Sequence, residues 1–149
     1  MTVDHSYRPR FAVLGAHGGA GVSTTTVMLD PQHHRQAVEL PPGTPLPPDH
    51  VAVVVARSTA YGVHRAAQML GHWHPGLGRP WLVVIRDAPL PQLPTVSYRL
   101  RALGSRVLGT VHVPYLAALR SADAPVDALH HRSVTKAAAA LRAGLHLTG

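Results

Sequence analysis

The sequence predicts a single-domain α/β protein with a mainly parallel sheet of about four to five strands. Short apolar runs of four to six residues recur along the chain, and helical patterns alternate with them. This alternation is typical of βαβ units, and continuous apolar runs are typical of strands covered on both faces. The length of 149 residues suits one domain, which we place at 11–149 after a flexible N-terminal tail at 1–10.

The order of the predicted elements follows from these patterns. Strands are predicted at 11–14, 51–56, 81–85 and 106–113. Helices are predicted at 23–29, 61–70, 95–103 and 130–145, with a short helical turn at 116–120. The stretch 31–50 holds six of the fourteen prolines, five of them between Pro41 and Pro48, so we predict a proline-rich loop there, with one brief extended piece at 36–40.

The composition excludes several classes of protein. The chain has no cysteine, which excludes disulfides, cysteine-based zinc sites and thiol nucleophiles. No run reaches the roughly 18–20 apolar residues of a membrane span, and the first ten residues lack the apolar core of a signal peptide. We therefore expect a cytoplasmic protein without a membrane span.

The chain is basic, and its positive charge comes almost entirely from arginine. The formal net charge is +7, and Lys136 is the only lysine. The arginines are scattered and form no run, so we do not expect direct binding to nucleic acid. The twelve histidines form local pairs without a third ligand at suitable spacing, which favours surface histidines over a metal site.

A glycine-rich segment follows the first strand and opens the first helix. In that context the backbone can curl so that successive N–H groups point at an anion, and the helix N-terminus adds its own free N–H groups. The sequence therefore predicts a phosphate-binding loop, formed by His17, Gly18, Gly19, Ala20, Gly21, Val22, Ser23 and Thr24. The alternative is a structural strand-to-helix turn that holds no ligand.

This loop resembles the deviant Walker A motif of the MinD/ParA class of P-loop ATPases, Lys-Gly-Gly-x-Gly-Lys-Ser/Thr-Thr. The glycines at 18, 19 and 21, together with Ser23 and Thr24, match that motif, whereas His17 and Val22 stand at its two lysine positions. The resemblance implies a reduced P-loop NTPase-like (Rossmannoid) fold of two or three layers, with ATP or ADP and Mg²⁺ as ligands. A P-loop lysine neutralises the β- and γ-phosphates, so we expect no catalysis by the chain alone.

The resemblance extends over most of the chain through weaker motifs. The segment 51–70 looks like the strand and helix after the switch region of that class, and the alanine-rich C-terminal helix also fits. Ile85 stands where the class has a base-reading asparagine, and the resemblance places Pro114 in the adenine pocket. Only about twenty loop-like residues separate Leu29 from Val51. We therefore find no obvious counterparts in this sequence of the acids that hold magnesium and position water in that class.

Arginines are the available substitutes for the lost lysine. Arg57 and Arg86 each follow a predicted strand, which places them at the carboxyl edge of a parallel sheet. We therefore predict an anion pocket formed by both arginines, His17 and the loop N–H groups, with two solvated strand-end arginines as the alternative. Asp87 could hold Mg²⁺ together with Ser23, or it could pair with Arg86 or cap the proline-rich loop that follows it.

The segments His-Gly-Gly-Ala-Gly-x-Ser-Thr, Ala-Arg-Ser/Thr, Asp-Ala-Pro and Pro-Trp/Tyr resemble a group of small actinobacterial proteins, some of them encoded in conjugative or secretion gene clusters. This implies a protein partner in a membrane transport, conjugation or partition system. Three hypotheses follow: a nucleotide- or phosphate-sensing accessory module, a slow ATPase completed in trans by a dimer mate or partner, and a structural adaptor with an empty loop.

Both faces of the predicted parallel sheet need elements that pack on them. If the strands lie in sequential order, right-handed crossovers place the connecting helices on one face. A parallel sheet seldom leaves its other face open to water. We therefore predict either tight docking of the C-terminal helix or a homodimer across the sheet.

Overall fold

A computed structural model describes residues 10–146. This part of the chain contains five strands and five α-helices: β1 (Arg10–Gly15), α1 (Val22–Leu29), β2 (Ala37–Glu39), β3 (His50–Arg57), α2 (Ala60–Gly71), β4 (Trp81–Ile85), α3 (Pro94–Ala102), β5 (Thr110–Val113), α4 (Ala117–Ser121) and α5 (Arg132–His146). The predicted strands and helices are thereby confirmed, although β5 is shorter than expected. The predicted tail lies outside the described residues, apart from Arg10, which begins β1.

The five strands form one parallel sheet in the order β2-β1-β3-β4-β5. The order therefore differs from the sequential order that we considered as a condition for the cover of the sheet. The chain moves from β1 outward to β2 and then returns past β1 to β3. Because parallel crossovers are right-handed, this reversal puts α1 on one face and α2 and α3 on the other. The result is a three-layer α/β fold.

Each face of the sheet has its own core. Along β3, Val53 and Val55 point to one face, and Val54 and Ala56 point to the other. The first face packs against α1 and α5 through buried residues that include Met28, Leu29, Val134, Leu141 and Leu145. The second face packs against α2 and α3 through Val63, Ala66, Leu70, Val96 and Leu100. The predicted docking of the C-terminal helix is thereby confirmed, and the reason for expecting a homodimer disappears.

The proline-rich stretch contributes the edge strand β2. The predicted extended piece is confirmed, since Phe11 donates its backbone N–H to Gln36 and Leu40 donates its own to Val13. The buried Asp30 carboxylate fixes the approach to β2 by accepting the backbone N–H groups of His34 and Gln36, at 2.8 and 3.0 Å.

The strand order also locates the site. The connections after β1 and β3 leave in opposite directions, and ligands of doubly wound sheets bind in the crevice at such a switch point. The glycine loop follows β1 and lies at this crevice. No helix within residues 10–146 combines the length and apolar character that crossing a membrane requires.

Candidate anion-binding site

The glycine loop turns sharply into α1. Gly19 and Gly21 have φ angles of 72° and 103°, a region of backbone conformation that glycine adopts without a steric penalty. Gly21 is the N-cap residue of α1, and no side chain within the described part of the chain caps this helix. The N–H groups of the first turn therefore remain available to an anion, which the helix dipole also favours.

Ile85, the last residue of β4, packs against this turn. A Cβ atom on Gly21 would lie 2.5 Å from Ile85 Cδ1, which is much closer than two carbon atoms can approach. Ile85 is only 4% exposed and belongs to the core of the first face. The position at which the resemblance expects an asparagine thus holds an apolar side chain that supports the loop from below.

His17 ties the glycine loop to β3. Its Nε2 accepts the backbone N–H of Arg57 at 3.1 Å, and its Nδ1 lies 2.8 Å from the carbonyl oxygen of Gly18. An accepting Nε2 requires the proton to be on Nδ1, which then donates to Gly18. The His17 ring also meets the Tyr61 ring edge-on, with centroids 5.5 Å apart. In this arrangement both ring nitrogens are engaged within the protein.

Three arginines converge beside the loop. Arg57, Arg86 and Arg120 line one cavity of about 90 Å³ together with Thr24 and Pro114. Arg57 Nε donates to the Gly19 carbonyl at 3.1 Å, which holds its side chain along the loop. Arg120 was not among the site residues predicted from the sequence. The available signal was its place in α4, directly after β5, which brings it to the same edge of the sheet.

The other two arginines have partners on the neighbouring loop. Arg86 donates from Nη2 to the carbonyl of Leu90 at 2.9 Å. Arg120 donates from Nη2 to the carbonyl of Asp87 at 2.8 Å, and its guanidinium lies 5.8 Å from the centre of the Tyr115 ring. Each contact uses only part of the five N–H donors of a guanidinium, so donors remain for a ligand.

A larger hollow continues from this cavity toward β5. It has a volume of about 470 Å³ and shares Arg86, Pro114 and Tyr115 with the arginine-lined cavity. His112 lines its far side. The pKa of His112 lies below its ordinary value of 6.5. The larger cause is partial burial, and the smaller cause is the positive charge of Arg86. The hollow is thus positively charged at Arg86 and neutral at His112 near pH 7.

The acids are arranged differently from our expectation. Asp87 lies 3.8 Å from the Arg120 guanidinium, so its ion pair is with Arg120 rather than with Arg86. Ser23 Oγ instead donates to Glu39 Oε1 at 2.7 Å. Sequence reasoning missed Glu39, because β2 is a strand of only three residues inside a proline-rich stretch.

The Ser23–Glu39 pair has the chemistry of a Mg²⁺ site that needs further ligands. A carboxylate and a hydroxyl are oxygen donors of the kind that Mg²⁺ prefers, and Mg²⁺ commonly takes its other ligands from water and substrate phosphates. Within residues 10–146 there is no group of three or more histidines and acids that could hold a metal ion. The paired residues therefore fit Mg²⁺ only as a companion of a bound phosphate.

Comparison with known protein families, curated proteins and solved structures gave no significant match to this chain. The fold and the site thus define a doubly wound parallel α/β protein with a glycine loop at its switch point.

Proposed function

We propose that this chain is a degenerate MinD/ParA-like P-loop protein that binds a phosphate-bearing ligand, such as ATP or ADP, without hydrolysing it alone. The observation that carries this proposal is the cavity lined by Arg57, Arg86, Arg120 and Thr24 beside the uncapped start of α1. Free helix N–H groups and guanidinium groups are the donors that phosphate prefers.

The charges of this cavity support an anionic occupant. The three arginines come from the end of β3, the residue after β4 and α4, and among residues 10–146 Asp87 is the only acid within ion-pair distance of any of them. Like charges in one cavity repel each other, and a bound phosphate group offsets that repulsion. Arginine also presents its N–H donors in a planar fork that matches phosphate oxygens.

The size of the cavity limits what it can hold by itself. A volume of about 90 Å³ equals that of roughly three water molecules at about 30 Å³ each, which suits one phosphate group. The adjoining hollow of about 470 Å³ lies within the range of about 300–1,000 Å³ typical of small-molecule sites. A nucleotide would therefore place a phosphate among the arginines and extend past Pro114 and Tyr115.

Binding without hydrolysis follows from Val22. Its aliphatic side chain cannot neutralise charge that develops on the β- and γ-phosphates, which is the work of the missing lysine. Arg57 supplies positive charge nearby, but its Nε is engaged with Gly19 on the flank of the loop. The proposed role is that of an accessory module that recognises a partner of a membrane transport, conjugation or partition apparatus.

A second candidate is a slow ATPase completed by a cationic residue supplied in trans. The hydrogen bond between Ser23 and Glu39 favours it, because a hydroxyl on the phosphate-loop helix and an acid on a neighbouring strand hold Mg²⁺ in P-loop NTPases. Mg²⁺-dependent hydrolysis that appears only at high protein concentration, and is lost in Glu39→Gln, would support this candidate.

A thermal-shift titration tests the proposal. Ligands are ATP, ADP, GTP and inorganic phosphate, each with and without Mg²⁺. A ligand present at 100-fold above its Kd stabilises the fold by about 2.7 kcal/mol, which raises Tm by roughly 5–11 °C at about 2–4 °C per kcal/mol. The shift should be lost in Arg57→Ala and kept in Arg79→Ala, because Arg79 is an exposed arginine outside the cavity. No shift at millimolar ligand would contradict the proposal and leave the structural adaptor.

A further inference from the structure

Within residues 10–146, the outer edge of β5 has no partner strand. Within the described residues β5 pairs only with β4, and the carbonyls of Gly109 and Val113 accept the N–H groups of Leu82 and Arg86. Alternate residues of a parallel strand face the same neighbour, so the backbone N–H and C=O groups of Thr110 and His112 point away from the sheet. An unpaired strand edge of this kind is a template for pairing with another chain.

A hollow beside this edge offers room for side chains. It has a volume of about 440 Å³ between β5 and α3, and Gln92, Ser97, Arg101, Thr110 and His112 are among the residues that line it. Gln92 Oε1 is buried and has no hydrogen-bond partner among the described residues. Gln92 Nε2 donates to Ser97 Oγ at 2.8 Å, so these two lining side chains are held together at the wall of the hollow.

The charge around this edge has one sign. No acid occurs from residue 88 to residue 122, a stretch that contains Arg99, Arg101, Arg106 and Arg120. The C-terminal helix α5, which packs on the other face of β5 through Gly144 and Val111, contains no acid either. Asp87, the nearest acid in sequence before this stretch, is engaged with Arg120. The surroundings of β5 thus complement a negatively charged segment.

We propose that the β5 edge and the adjoining hollow bind an extended acidic peptide segment of a partner protein, which adds a sixth strand to the sheet. Main-chain hydrogen bonds to Thr110 and His112 provide affinity, as in other proteins that bind peptides by strand addition. Arg101 at the hollow selects acidic side chains. This inference does not depend on a ligand in the glycine loop, and its experiment uses no nucleotide.

The experiment measures fluorescence anisotropy with a fluorescein-labelled heptapeptide of alternating valine and glutamate. Its matched controls are the same peptide with lysine in place of glutamate and the same peptide N-methylated at two consecutive central positions, so that both of its edges lose a donor. The acidic peptide should bind at least tenfold more tightly than either control. N-methylation removes backbone donors without changing the side-chain charges, so it separates strand addition from charge attraction alone.

Two protein variants locate the interaction. Arg101→Glu should weaken binding of the acidic peptide at least fivefold, whereas Arg79→Glu, at an exposed position outside this surface, should not. His112→Pro removes an N–H that no residue of the sheet uses, and proline is tolerated where a strand edge faces solvent. It should weaken binding by a similar factor while the far-UV circular dichroism stays unchanged.

Three results would overturn the proposal. Equal binding of the N-methylated and unmethylated peptides would exclude strand addition. Displacement of the peptide by a single-stranded oligonucleotide that binds more tightly would assign the surface to nucleic acid. A dimer in sedimentation that His112→Pro dissociates would assign the β5 edge to a second copy of this chain. The peptide comparison uses the wild-type protein, so it remains decisive even if His112→Pro does not fold.

Discussion

Replacement of Gly21 by alanine perturbs the point at which the glycine loop rests on the sheet. The residue has a φ of 103°, and a Cβ atom there would lie 2.5 Å from Ile85 Cδ1. The left-handed backbone costs about 1–2 kcal/mol for a residue with a Cβ. Overpacking against a core side chain adds about 1–3 kcal/mol. Ile85 is 4% exposed but lines the adjoining cavity of about 90 Å³, so its Cδ1 atom can retreat in part. We therefore expect a total loss of about 2–5 kcal/mol.

The loop supplies its own matched controls. Gly18 has no atom within 4 Å of a Cβ and no positive φ, whereas Gly19 has an equally open surrounding but a φ of 72°. Gly18→Ala should therefore change the free energy of unfolding by less than about 0.5 kcal/mol, and Gly19→Ala should cost about 1–2 kcal/mol from backbone strain alone. The expected order of destabilisation is Gly18, then Gly19, then Gly21.

Urea denaturation followed by circular dichroism measures these differences. A loss of about 3 kcal/mol, in the middle of the range for Gly21→Ala, lowers Tm by roughly 6–12 °C in a protein of this size. The double variant Gly21→Ala/Ile85→Val removes the atom that clashes, so its measured destabilisation should be smaller than the sum of the two single changes. Equal stability of Gly21→Ala and Gly18→Ala would refute the packing of the loop against β4.

Three further predictions follow from the site. His17→Leu leaves the Arg57 backbone N–H without its acceptor, which should cost about 1–3 kcal/mol of unfolding free energy in urea denaturation. Glu39→Gln should weaken the Mg²⁺-dependent part of nucleotide binding in calorimetry and leave Mg²⁺-free binding unchanged, because Ser23 keeps an acceptor. Phosphate bound at Arg86 offsets the charge that helps to lower the pKa of His112, so an NMR titration should find this pKa higher with phosphate than without it.

The sign of the His112 effect on stability can also be worked out. The folded state has the lower pKa, so the unfolded chain binds a proton more readily as the pH falls below the ordinary value of 6.5. The wild type should therefore lose stability relative to His112→Gln below about pH 6.5, and the two proteins should respond alike to pH above it. A constant difference between their unfolding free energies from pH 5 to pH 8 would contradict this assignment.

The elements of the fold could be predicted because each leaves a local pattern. The runs at β3 and β4 are apolar on both faces, and α2 and α5 carry apolar residues at helical spacing on their buried sides. Such patterns depend only on residues close together in sequence. They are unaffected by the order in which the strands pair, so element type could be read directly while strand order could not.

The strand order depends on β2, whose place in the sheet leaves no local signal. Only three residues, Ala37–Glu39, pair with β1. The buried Asp30 carboxylate fixes the segment that leads into them by accepting the backbone N–H groups of His34 and Gln36. The sequence predicted an extended piece at 36–40, but nothing in it indicated that this piece pairs with β1. Its position reverses the winding of the sheet and places the helices on both faces, which the condition of sequential order did not include.

The same reason explains which site residues were missed. Gly18 to Thr24 are adjacent in sequence, and Arg57 and Arg86 follow evident strands, so a local pattern was enough to nominate them. Glu39 lies at the end of the inconspicuous β2 and contacts Ser23 sixteen residues away. Arg120 reaches the cavity from a helix of five residues. Both required the tertiary arrangement.

The most direct test of the central claim is a residue-resolved NMR titration with ATP, observing backbone amides and arginine Nε–H groups. We predict saturable shifts of the amides from Gly18 to Thr24 and of the Nε signals of Arg57, Arg86 and Arg120, with Arg79 unchanged. Shifts confined to scattered surface residues, or none at millimolar ATP, would contradict a phosphate site at the glycine loop.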